Sequence, residues 1–414
     1  MRIAIYWEQD SWGGVDTHLL TLLRDWPAAT DEFVVFFNRG NLGLERIKAE
    51  LSALPNVQLR EVVSFSYNEM VRRLAVLPMG RWLRLFLYPL QPLLLLLMAN
   101  RLANAFAHNG RFDLMLADNG GYPAAWGAQS AVIGAKRAGV GARLLLVHHS
   151  STPPALFMGW YERLVDRAME RISSAIVCVS YATRQSLLDT RMISVSTARL
   201  RVIHNGISAS PAARDHAPSY NLREAVNARE ELIVGIVGRV QAYKGHEDLI
   251  FALARLAADE RRRLKLVVLG SGDAPEMARL QALVERCGVV ESVHFAGYVP
   301  GDPVELIGQL DLLVIATRSF EGFGLTLAEA MLAGTPILTT RVGAIPEFVN
   351  ESNGVLVNPG SPLEMSMALK DFIANREAWR ARAKVAQKRM QSEGNLMPGE
   401  YHRLFEECIA GSLG

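Results

Sequence analysis

The sequence predicts an α/β protein with two doubly wound domains, and three observations lead to that prediction. The chain has 414 residues, which is enough for two or three domains that each bury a core. Short, nearly continuous apolar runs alternate with segments of helical periodicity, a pattern typical of parallel sheets covered by helices on both faces. A polar stretch at residues 208–230 interrupts this alternation once, and a second alternating series follows it. We therefore expect two Rossmann-like domains that face a cleft.

The composition excludes several classes of protein. Hydrophobic residues make up 50% of the chain and charged residues 21%, so the chain is not intrinsically disordered. The formal charge of only +2 argues against a dedicated nucleic-acid-binding protein, which usually has a strong basic bias. Cys178, Cys287 and Cys408 lie far apart without a CxxC pair, so neither a disulfide framework nor a cysteine zinc site is indicated. This cysteine usage fits a reducing, cytoplasmic compartment.

The first predicted domain covers residues 1–207 and begins with an apolar strand at Arg2–Trp7. That run is too short for the h-region of a signal peptide, and Glu8 and Asp10 follow it, so we interpret it as a buried strand. Further strands are predicted at Phe33–Phe37, Leu114–Ala117, Leu144–Val147, Ala175–Val179 and Leu200–Ile203. The predicted helices include Ala124–Ala138 and Leu156–Ile172.

The second predicted domain covers residues 208–392, and a helical segment at 393–414 is expected to cross back to the first domain. This segment overlaps a charged helical stretch at Glu377–Phe405. The predicted strands are Leu232–Val237, Leu264–Leu269, Val293–Phe295, Leu312–Ile315, Ile337–Thr339 and Val355–Val357. The predicted helices include Glu247–Ala258, Glu276–Cys287, Thr326–Ala333 and Pro362–Ala374.

Residues 71–99 form a basic, leucine-rich segment with aromatic residues. A membrane-spanning helix needs about 20 apolar residues, whereas the apolar stretch here is shorter and contains Pro89 and Pro92. Two interpretations stay open. The segment is either a helix that lies on an anionic membrane surface, such as the inner face of the cell membrane, or a core helix with a solvated arginine face.

Ligands of open parallel sheets bind beyond the carboxyl ends of the strands. The loop after Leu232–Val237 contains Gly238 and Arg239, followed by Lys244 directly before a predicted helix. Arginine offers a bidentate fork, lysine offers a point charge, and a helix N-terminus attracts anions, so this loop suits a diphosphate. The alternative is that both cations are ordinary surface residues.

The strongest constellation runs from Glu321 to Ala330, just after a predicted strand. Gly322 and Gly324 free the backbone immediately before a helix, where amide groups can face phosphate oxygens. Glu321 precedes that helix and can point into the cleft, while the carboxylate of Glu329 can accept two ribose hydroxyls. The alternative is a pair of solvated glutamates around a turn.

A third loop, from Gly270 to Asp273, contains Gly272, at which a ligand can approach the backbone closely. It lacks the third glycine of a GxGxxG fingerprint, so a nicotinamide dinucleotide is weakly supported, and a plain strand-to-helix turn is the alternative. The chain has no Asp-x-Asp and no histidine or cysteine pair at convincing ligand spacing. We therefore expect no obligatory metal.

The first domain offers fewer candidates. Gly13 and Gly14 follow the first strand, and their amides suit a loop that closes over a phosphate. Another strand ends in His148-His149, and we favour His149 as the histidine that contacts a sugar or shuttles a proton because it lies further beyond the strand. A structural histidine remains the alternative. The pair Asp118 and Asn119 is a weaker candidate on the acceptor side.

Taken together, these motifs resemble family 4 of the retaining, nucleotide-sugar-dependent glycosyltransferases, which have the GT-B fold. The resemblance covers most of the chain and is most specific in the second domain, where Glu321 and Glu329 match the family's Glu-x7-Glu element. Gly322 stands where serine or glycine both occur in the family. The other matching pieces are Gly13-Gly14, Asn205-Gly206, Gly238-Arg239 with Lys244-Gly245, Gly270-Ser271-Gly272, Phe295 to Tyr298, Val342 to Glu347 and Asn353 to Val357.

The resemblance implies a role for each of these positions. Arg239 and Lys244 would hold the donor diphosphate, Glu329 the ribose and Glu321 the donor sugar. Gly14 would cover the phosphates from the first domain. His149 would sit at the reacting sugar, although the paired His148 leaves the register open. The backbone groups implied in donor binding are the amides of Phe323, Gly324 and Leu325 and, for the base, the segment Tyr298-Val299.

The implied reaction transfers a hexosyl group, with retention, to a glycan or lipid-linked acceptor, as in bacterial envelope polysaccharide or glycolipid synthesis. It needs no cofactor, and the donor would be a UDP-, GDP- or ADP-sugar. Three alternatives stay open: a nucleotide-sugar epimerase on the same fold, a non-catalytic nucleotide-sugar binding protein, and a dinucleotide oxidoreductase, which the missing fingerprint disfavours.

Overall fold

The computed structural model describes residues 1–8, 13–38, 44–62, 89–118, 120–123, 126–191, 199–207 and 220–412. The chain forms two compact units. The first unit comprises residues 1–206 together with the chain from 396 onward, and the second unit comprises residues 207–395. Each unit contains one parallel sheet, so the predicted fold class is confirmed.

The sheet of the first unit has seven strands in the order β3-β2-β1-β4-β5-β6-β7, all parallel. The order reverses direction between β1 and β4, which is the topological switch point where ligands of such sheets bind. The strands are β1 (Arg2–Trp7), β2 (Glu32–Phe37), β3 (Val57–Glu61), β4 (Leu114–Asp118), β5 (Ala142–Val147), β6 (Ala175–Cys178) and β7 (Leu200–Val202).

Helices connect these strands because each parallel pair requires a crossover. A core cluster joins one face of the sheet to four of the helices through residues such as Phe36, Leu102, Ala131 and Val165. The helices of the first unit are α1 (Gly14–Arg24), α2 (Leu44–Leu51), α3 (Gln91–His108), α4 (Trp126–Arg137), α5 (Gly159–Ile172), α6 (Tyr181–Arg191) and α16 (Met397–Ser412). The four helices of this cluster are α3, α4, α5 and α6.

The sheet of the second unit has six strands in the order β10-β9-β8-β11-β12-β13, also parallel, with its switch point between β8 and β11. Its strands are β8 (Leu232–Val237), β9 (Leu264–Leu269), β10 (Val293–Gly297), β11 (Leu312–Ile315), β12 (Ile337–Thr340) and β13 (Val355–Val357). Its helices are α7 (Leu222–Ala225), α8 (His246–Ala254), α9 (Ala258–Arg262), α10 (Ala274–Arg286), α11 (Pro303–Gly308), α12 (Leu325–Ala333), α13 (Ile345–Phe348), α14 (Pro362–Ala374) and α15 (Arg376–Glu393).

Polar side chains begin several helices of the second unit at the edge where the strands end. Asp273 accepts a hydrogen bond from the amide of Glu276 at the start of α10, and Ser361 accepts one from the amide of Glu364 at the start of α14. Such caps satisfy amides that have no partner within the helix. They fix the helix N-termini next to the carboxyl edge of the sheet.

Two elements differ from the prediction. Strand β3 was not expected, because its sequence Val-Gln-Leu-Arg-Glu is half polar and the strand lies at the edge of the sheet, where one side stays exposed. The helical stretch predicted at Glu377–Phe405 consists of two helices, α15 and α16, which separate around Gly394. The chain passes from the second unit to the first at this break.

No helix within the described ranges is long and apolar enough to cross a bilayer. Most of the predicted membrane-surface segment 71–99 lies outside the described residues, as far as residue 88. Its last part is a short turn followed by the first half of α3.

Candidate functional site

Two loops of the second unit meet at the switch point of its sheet. The ammonium group of Lys244, in the loop after β8, donates to both carboxylate oxygens of Glu321, in the loop after β11, at 2.8 and 3.2 Å. The hydroxyl of Thr317 donates to the same carboxylate at 3.0 Å. Lys244 and Glu321 are both partly buried, so this ion pair is less screened by solvent than one on the open surface.

A second ion pair holds the two loops together below Lys244. Arg318 donates through its backbone amide to the carbonyl of Tyr243 at 2.7 Å. Its guanidinium donates in a bidentate manner to the buried carboxylate of Asp248, at 2.5 and 2.6 Å, and also pairs with Glu247. Bidentate arginine–carboxylate contacts fix geometry as well as adding energy. The positions of Lys244 and Glu321 are therefore set by a rigid support and not by flexible side chains alone.

The turn from Glu321 to α12 depends on Gly324. Its φ of +87° lies in the left-handed region, which residues with a Cβ rarely adopt. This conformation lets α12 start directly beside the Glu321 side chain and leaves its first amides at the same edge. The amide of Ala344 donates to the carbonyl of Glu321 at 2.9 Å, which fixes the turn from its other side.

A cavity lies where these loops converge. Its polar lining combines two cations, one carboxylate, one imidazole and two hydroxyls, with apolar strand residues beneath them. The polar residues are Arg239, Lys244, His246, Thr317, Glu321 and Thr326. Arg239 is exposed at the mouth, and Gly324 also lines the wall. Arg239, Lys244, Glu321 and Gly324 were all predicted to contact the donor, and the structure brings them to one cavity.

His246 was not expected to contribute to this cavity. It is the first residue of α8, only 4% exposed, and neither ring nitrogen has a hydrogen-bond partner among the described residues. The pKa of His246 is lowered to about 4, mainly by burial; Glu276 opposes this effect, and the charges of Lys244 and Arg279 add to it. The ring is therefore neutral at pH 7. Since buried polar groups are nearly always hydrogen-bonded, a ligand or an ordered water is needed to satisfy it. The only signal in the sequence is its place directly after Lys244-Gly245.

Glu329 lies on α12, about two helical turns further along the chain than Glu321. It is half-buried. Burial and, to a smaller extent, the carboxylate of Asp302 raise the pKa of Glu329 to about 7. Asp302 caps α11 by accepting from the amide of Val304 at 2.8 Å. The segment that contains Tyr298 and Val299 thus ends near Glu329, and the Tyr298 side chain is 65% exposed.

Close packing of the loops after β8 and β9 also explains why glycine occurs in them. The amide of Gly238 donates to the carbonyl of Leu269, and the amide of Val240 donates to the carbonyl of Ser271, both at 2.9 Å. A Cβ on Gly272 would lie 2.4 Å from the carbonyl oxygen of Val240. The two loops therefore pack backbone against backbone, and donor binding by Gly238 and Gly272 remains a prediction.

The three residues around Gly324 present mainly their backbone. Phe323 is buried with its ring 4.9 Å from that of Phe348, so its side chain supports the turn. Gly322 is buried and Leu325 is partly buried. Donor contacts by these residues would have to come from their amides, as the family resemblance implies.

In the first unit, the amide of Gly13 is already occupied. It donates to the carboxylate of Asp16 at 2.6 Å, and Gly13 serves as the N-cap of α1. Burial raises the pKa of Asp16 to about 7, and Asp118 adds to this, whereas the bonds from Gly13 and Trp7 oppose it. Gly14 is exposed at the start of the helix. Of the two glycines, Gly14 is the more exposed.

Asp118 lies at the end of β4, fully buried, between two histidines. The Nε2 atom of His148 is 2.8 Å from one carboxylate oxygen, and the Nδ1 atom of His18 is 3.4 Å from the other. Burial by itself would raise the pKa of Asp118, but the two histidines outweigh it and lower the pKa to about 2. The ring of Tyr401, on α16, lies 5.5 Å from that of His18. Asp118 is therefore placed behind the carboxyl edge and supports His148.

This cluster was not expected from sequence spacing. One ligand atom from each of His18, Asp118 and His148 lies within 4.8 Å of the others, and these are residue types that bind transition metals. The hydrogen bonds of Asp118 to both histidines account for its two carboxylate oxygens without an ion. We interpret the cluster as a hydrogen-bonded support.

His149 follows β5 and is half-buried, and its Nδ1 atom is 3.0 Å from the hydroxyl of Ser150. His148 is buried against Asp118, so the two adjacent histidines have different surroundings. His149 is the more accessible of the two, which is the order that the sequence analysis favoured. Asn119 lies outside the described residues.

Comparisons with known proteins agree with this architecture. A family model described as Glycosyltransferase Family 4 matches residues 12–210, and one described as Glycosyl transferases group 1 matches residues 221–389. An uncharacterized glycosyltransferase of Methanocaldococcus jannaschii is 32% identical over 203 residues, which cover 47% of this chain and 50% of the relative. A D-inositol 3-phosphate glycosyltransferase of Corynebacterium jeikeium is 29% identical over 222 residues, covering 51% and 52%. The chain thus spans about half the length of the curated relatives it matches.

Solved structures with the same fold cover the whole chain. The crystal structure of Anabaena HepE in complex with UDP-glucose superposes with a TM-score of 0.71 at 19% identity, covering 100% of this chain and 99% of the other. A glycosyltransferase from Rickettsia africae gives a TM-score of 0.75 at 17% identity, covering 99% and 98%. The fold is GT-B, and the family models and the fold together support a glycosyltransferase of the family 4 type.

Proposed function

We propose that the protein is a retaining glycosyltransferase that moves a hexosyl group from a nucleotide-diphosphate sugar to a hydroxyl of a glycan or lipid-linked acceptor. The observation that carries this proposal is the cavity at the switch point of the second sheet, where Arg239, Lys244 and Glu321 converge beside the start of α12. A diphosphate linked to a sugar is a ligand with matching parts, since its anionic portion meets cations and its hydroxyls meet a carboxylate.

The diphosphate would bind to Lys244, Arg239 and the first amides of α12. An ammonium group has three N–H donors, and Glu321 accepts from two directions, so Lys244 can hold Glu321 and a phosphate oxygen together. Arg239 lies at the mouth of the cavity, where its fork can bind two phosphate oxygens. The amides that follow Gly324 add a further anion site.

The rest of the donor would extend along α12. The carboxylate of Glu329 would accept the ribose hydroxyls, and backbone groups at Tyr298 and Val299 would bind the base, because Asp302 brings that segment close to Glu329. Glu321 would contact the sugar. The HepE structure holds UDP-glucose, which makes a UDP-sugar the first donor to test.

The chemical step breaks the bond between the anomeric carbon and the oxygen of the β-phosphate. Negative charge grows on the leaving diphosphate, and preorganised cations and amides stabilise it there, which is the work that a divalent metal does in other transferases. The acceptor hydroxyl attacks the anomeric carbon from the same face and loses its proton to a leaving phosphate oxygen. His149 would contact the reacting sugar. No cofactor is required.

The proposed location is the cytoplasm, at the inner face of the membrane, where envelope polysaccharides and glycolipids are assembled. Support for it comes from the cysteine usage and from the basic, leucine-rich segment 71–99.

A thermal-shift panel of UDP-, GDP- and ADP-sugars tests donor binding. A donor present at about 100 times its Kd should stabilise the second unit by roughly 2.7 kcal/mol. Transfer is then followed with candidate acceptors, and NMR of the product should show the anomeric configuration of the donor. Inversion would contradict the retaining step. Conversion of the donor to an epimer without acceptor would instead identify an epimerase, and binding without any turnover would identify a non-catalytic protein.

A further inference from the structure

An apolar surface stands exposed at the start of α5, in the first unit. Leu156 and Phe157, just before the helix, are 98% and 92% exposed, and Trp160 and Leu164, within its first two turns, are 63% and 52% exposed. Isolated exposed apolar residues are ordinary, but four large ones within nine positions of the chain form a patch. Residues 160 and 164 are four apart and therefore share one side of the helix. An exposed apolar patch of this kind marks a surface that binds a protein or a membrane.

The same side of α5 is mainly positively charged. Arg163, Arg167 and Arg171 are exposed, and none of the three forms an ion pair within the part of the chain that the structure describes. Two of the three acidic residues of α5, Glu162 and Asp166, are buried and pair with Arg191, and the third, Glu170, is partly buried. The outward side of α5 thus combines apolar and aromatic residues at its start with three cations along its length. We call Leu156, Phe157, Trp160, Leu164 and these three arginines the α5 face.

A second apolar stripe occupies the first half of α3. Leu90, Leu93, Leu96 and Leu97 are each between 44% and 55% exposed and recur at helical spacing. Both α3 and α5 pack on the same face of the first sheet, through the core cluster that they share with α4. Because each crossover helix begins where the preceding strand ends, both stripes lie toward the carboxyl edge of the sheet. The α5 face is therefore part of a wider apolar border of this unit.

We propose that the α5 face docks the protein on an anionic lipid bilayer. Tryptophan and phenylalanine favour the boundary between headgroups and acyl chains, and an apolar side lined by cations is the pattern of interfacial helices. Each arginine near an anionic surface strengthens attraction about fivefold. A protein partner would need a matching acidic surface, whereas the anionic headgroups of a bilayer supply negative charge along the whole α5 face.

This docking places a lipid-linked acceptor next to His149, the residue of the first unit proposed to contact the reacting sugar. Strand β5 ends at Val147, His149 follows it, and the same loop continues into Leu156 and Phe157. A headgroup that projects from the bilayer would meet the carboxyl edge of the first sheet at His149. The inference deepens the proposed function, because it rests on that function for the acceptor, but bilayer binding itself does not depend on it.

Sedimentation of the full chain with vesicles tests the proposal. The vesicles are phosphatidylcholine alone or with roughly a third phosphatidylglycerol, to give an anionic surface. We expect binding to the anionic vesicles only, and a steep loss of binding between about 0.1 M and 1 M salt, over which screening shortens from about 10 to about 3 Å. Equal binding to both vesicles, or binding to neither, would overturn the proposal.

Two double variants separate the apolar and the charged contributions. Phe157→Ser with Trp160→Ser should weaken partitioning at least about tenfold. Arg163→Glu with Arg167→Glu should abolish binding to anionic vesicles, because charge reversal replaces attraction by repulsion. The matched controls are Leu363→Ser with Met367→Ser, two apolar residues of similar exposure on α14, and Lys384→Glu with Lys388→Glu on α15. Equal loss in a control and its counterpart would contradict the α5 face as the docking site.

Two further readouts keep the outcomes distinct. If size-exclusion chromatography with light scattering shows a dimer that Phe157→Ser disrupts, and vesicles are not bound, the patch is an interface between copies of the chain and the proposal is wrong. Thermal stabilisation by UDP-glucose should be unchanged in all four double variants. If vesicle binding follows the α5 face but no nucleotide sugar stabilises the protein, the proposed function fails and the docking surface stands.

Discussion

The two units use their carboxyl edges differently. In the second unit, Lys244, Thr317 and Glu321 pair with one another inside a cavity and keep polar atoms facing its interior. In the first unit, the ionisable groups His18, Asp118 and His148 are buried behind the edge and bond to each other. The second unit therefore presents a preformed polar cavity, which we call its polar receptor. The first unit uses its buried polar groups to hold His148 in place, and it presents His149 and an apolar border to its surroundings.

The largest effect is expected at Lys244. Lys244→Ala removes the cation that pairs with Glu321, so we expect kcat to fall about 10²–10³-fold, the usual cost of losing one preorganised donor at developing charge. Steady-state kinetics with the donor identified by thermal shift measures this. Lys388→Ala, an exposed lysine on α15, is the control. A Lys244→Ala enzyme within twofold of the parent rate would contradict the role of Lys244 in the cavity of the second unit.

The buried support of the first unit should appear in stability. Asp118→Ala leaves two buried histidines without their carboxylate, and we expect the free energy of unfolding to fall by about 3–5 kcal/mol in denaturant titrations. Asp259→Ala, at an exposed position, should change it by less than about 0.5 kcal/mol. A loss of activity in Asp118→Ala without any loss of stability would instead make Asp118 part of the reaction centre.

The same carboxylate predicts a dependence on acid. The pKa of Asp118 is lowered in the folded state from 3.8 to about 2, so its contribution is fully present above pH 4 and is lost as the pH falls from about 4 to about 2. Melting temperatures between pH 5 and pH 2 should therefore fall less steeply in Asp118→Asn than in the parent chain. If the melting temperatures of the two proteins fell in parallel, Asp118 would not be responsible for the loss of stability in acid.

A smaller effect is expected for donor binding near neutral pH. The pKa of Glu329 is raised to about 7, and only the ionised carboxylate accepts two ribose hydroxyls, so affinity for UDP-glucose should rise up to about tenfold between about pH 6 and pH 8. A sugar diphosphate diester does not itself titrate in this range. Calorimetry across the range measures the affinity, and Glu329→Gln should make it independent of pH. A parent protein with the same affinity throughout would rule out this contact.

The smallest effect is expected at His246. His246→Phe replaces a buried ring that has no hydrogen-bond partner among the described residues, so we expect stability to stay level or to increase while donor affinity falls about fivefold. The pairing of these two readouts is decisive. If affinity does not change, an ordered water satisfies the ring, and the polar receptor of the second unit is confined to Lys244, Glu321 and Arg239.

The sequence predicted the second unit better than the first. Gly238 to Gly245 and Glu321 to Glu329 are local motifs, so their residue types and spacing already indicate a turn, a helix start and the charges at each. The expected convergence of Arg239, Lys244 and Glu321 follows from topology alone, because strands that end at one switch point bring their loops together. The structure agrees with this expectation.

The features that the sequence did not predict depend mainly on contacts between distant parts of the chain. From the sequence, Asp118 was a candidate for the acceptor side. In the structure it is buried against His18 and His148, which lie far from it along the chain. His246 reads as the first residue of an ordinary helix until packing buries it without a partner. The edge strand Val57–Glu61 was missed because half of its residues face solvent and its apolar signal is weak.

By itself, the sequence determined two parallel α/β units and the charged loops of the second one, since strand runs, helical periodicity and glycine turns are local properties of the chain. Only the tertiary structure decided which ionisable groups are buried together and that Leu156, Phe157 and Trp160 remain uncovered. The physical reason is that burial and exposure are set by whatever folds against a residue, and that information is spread over the whole chain.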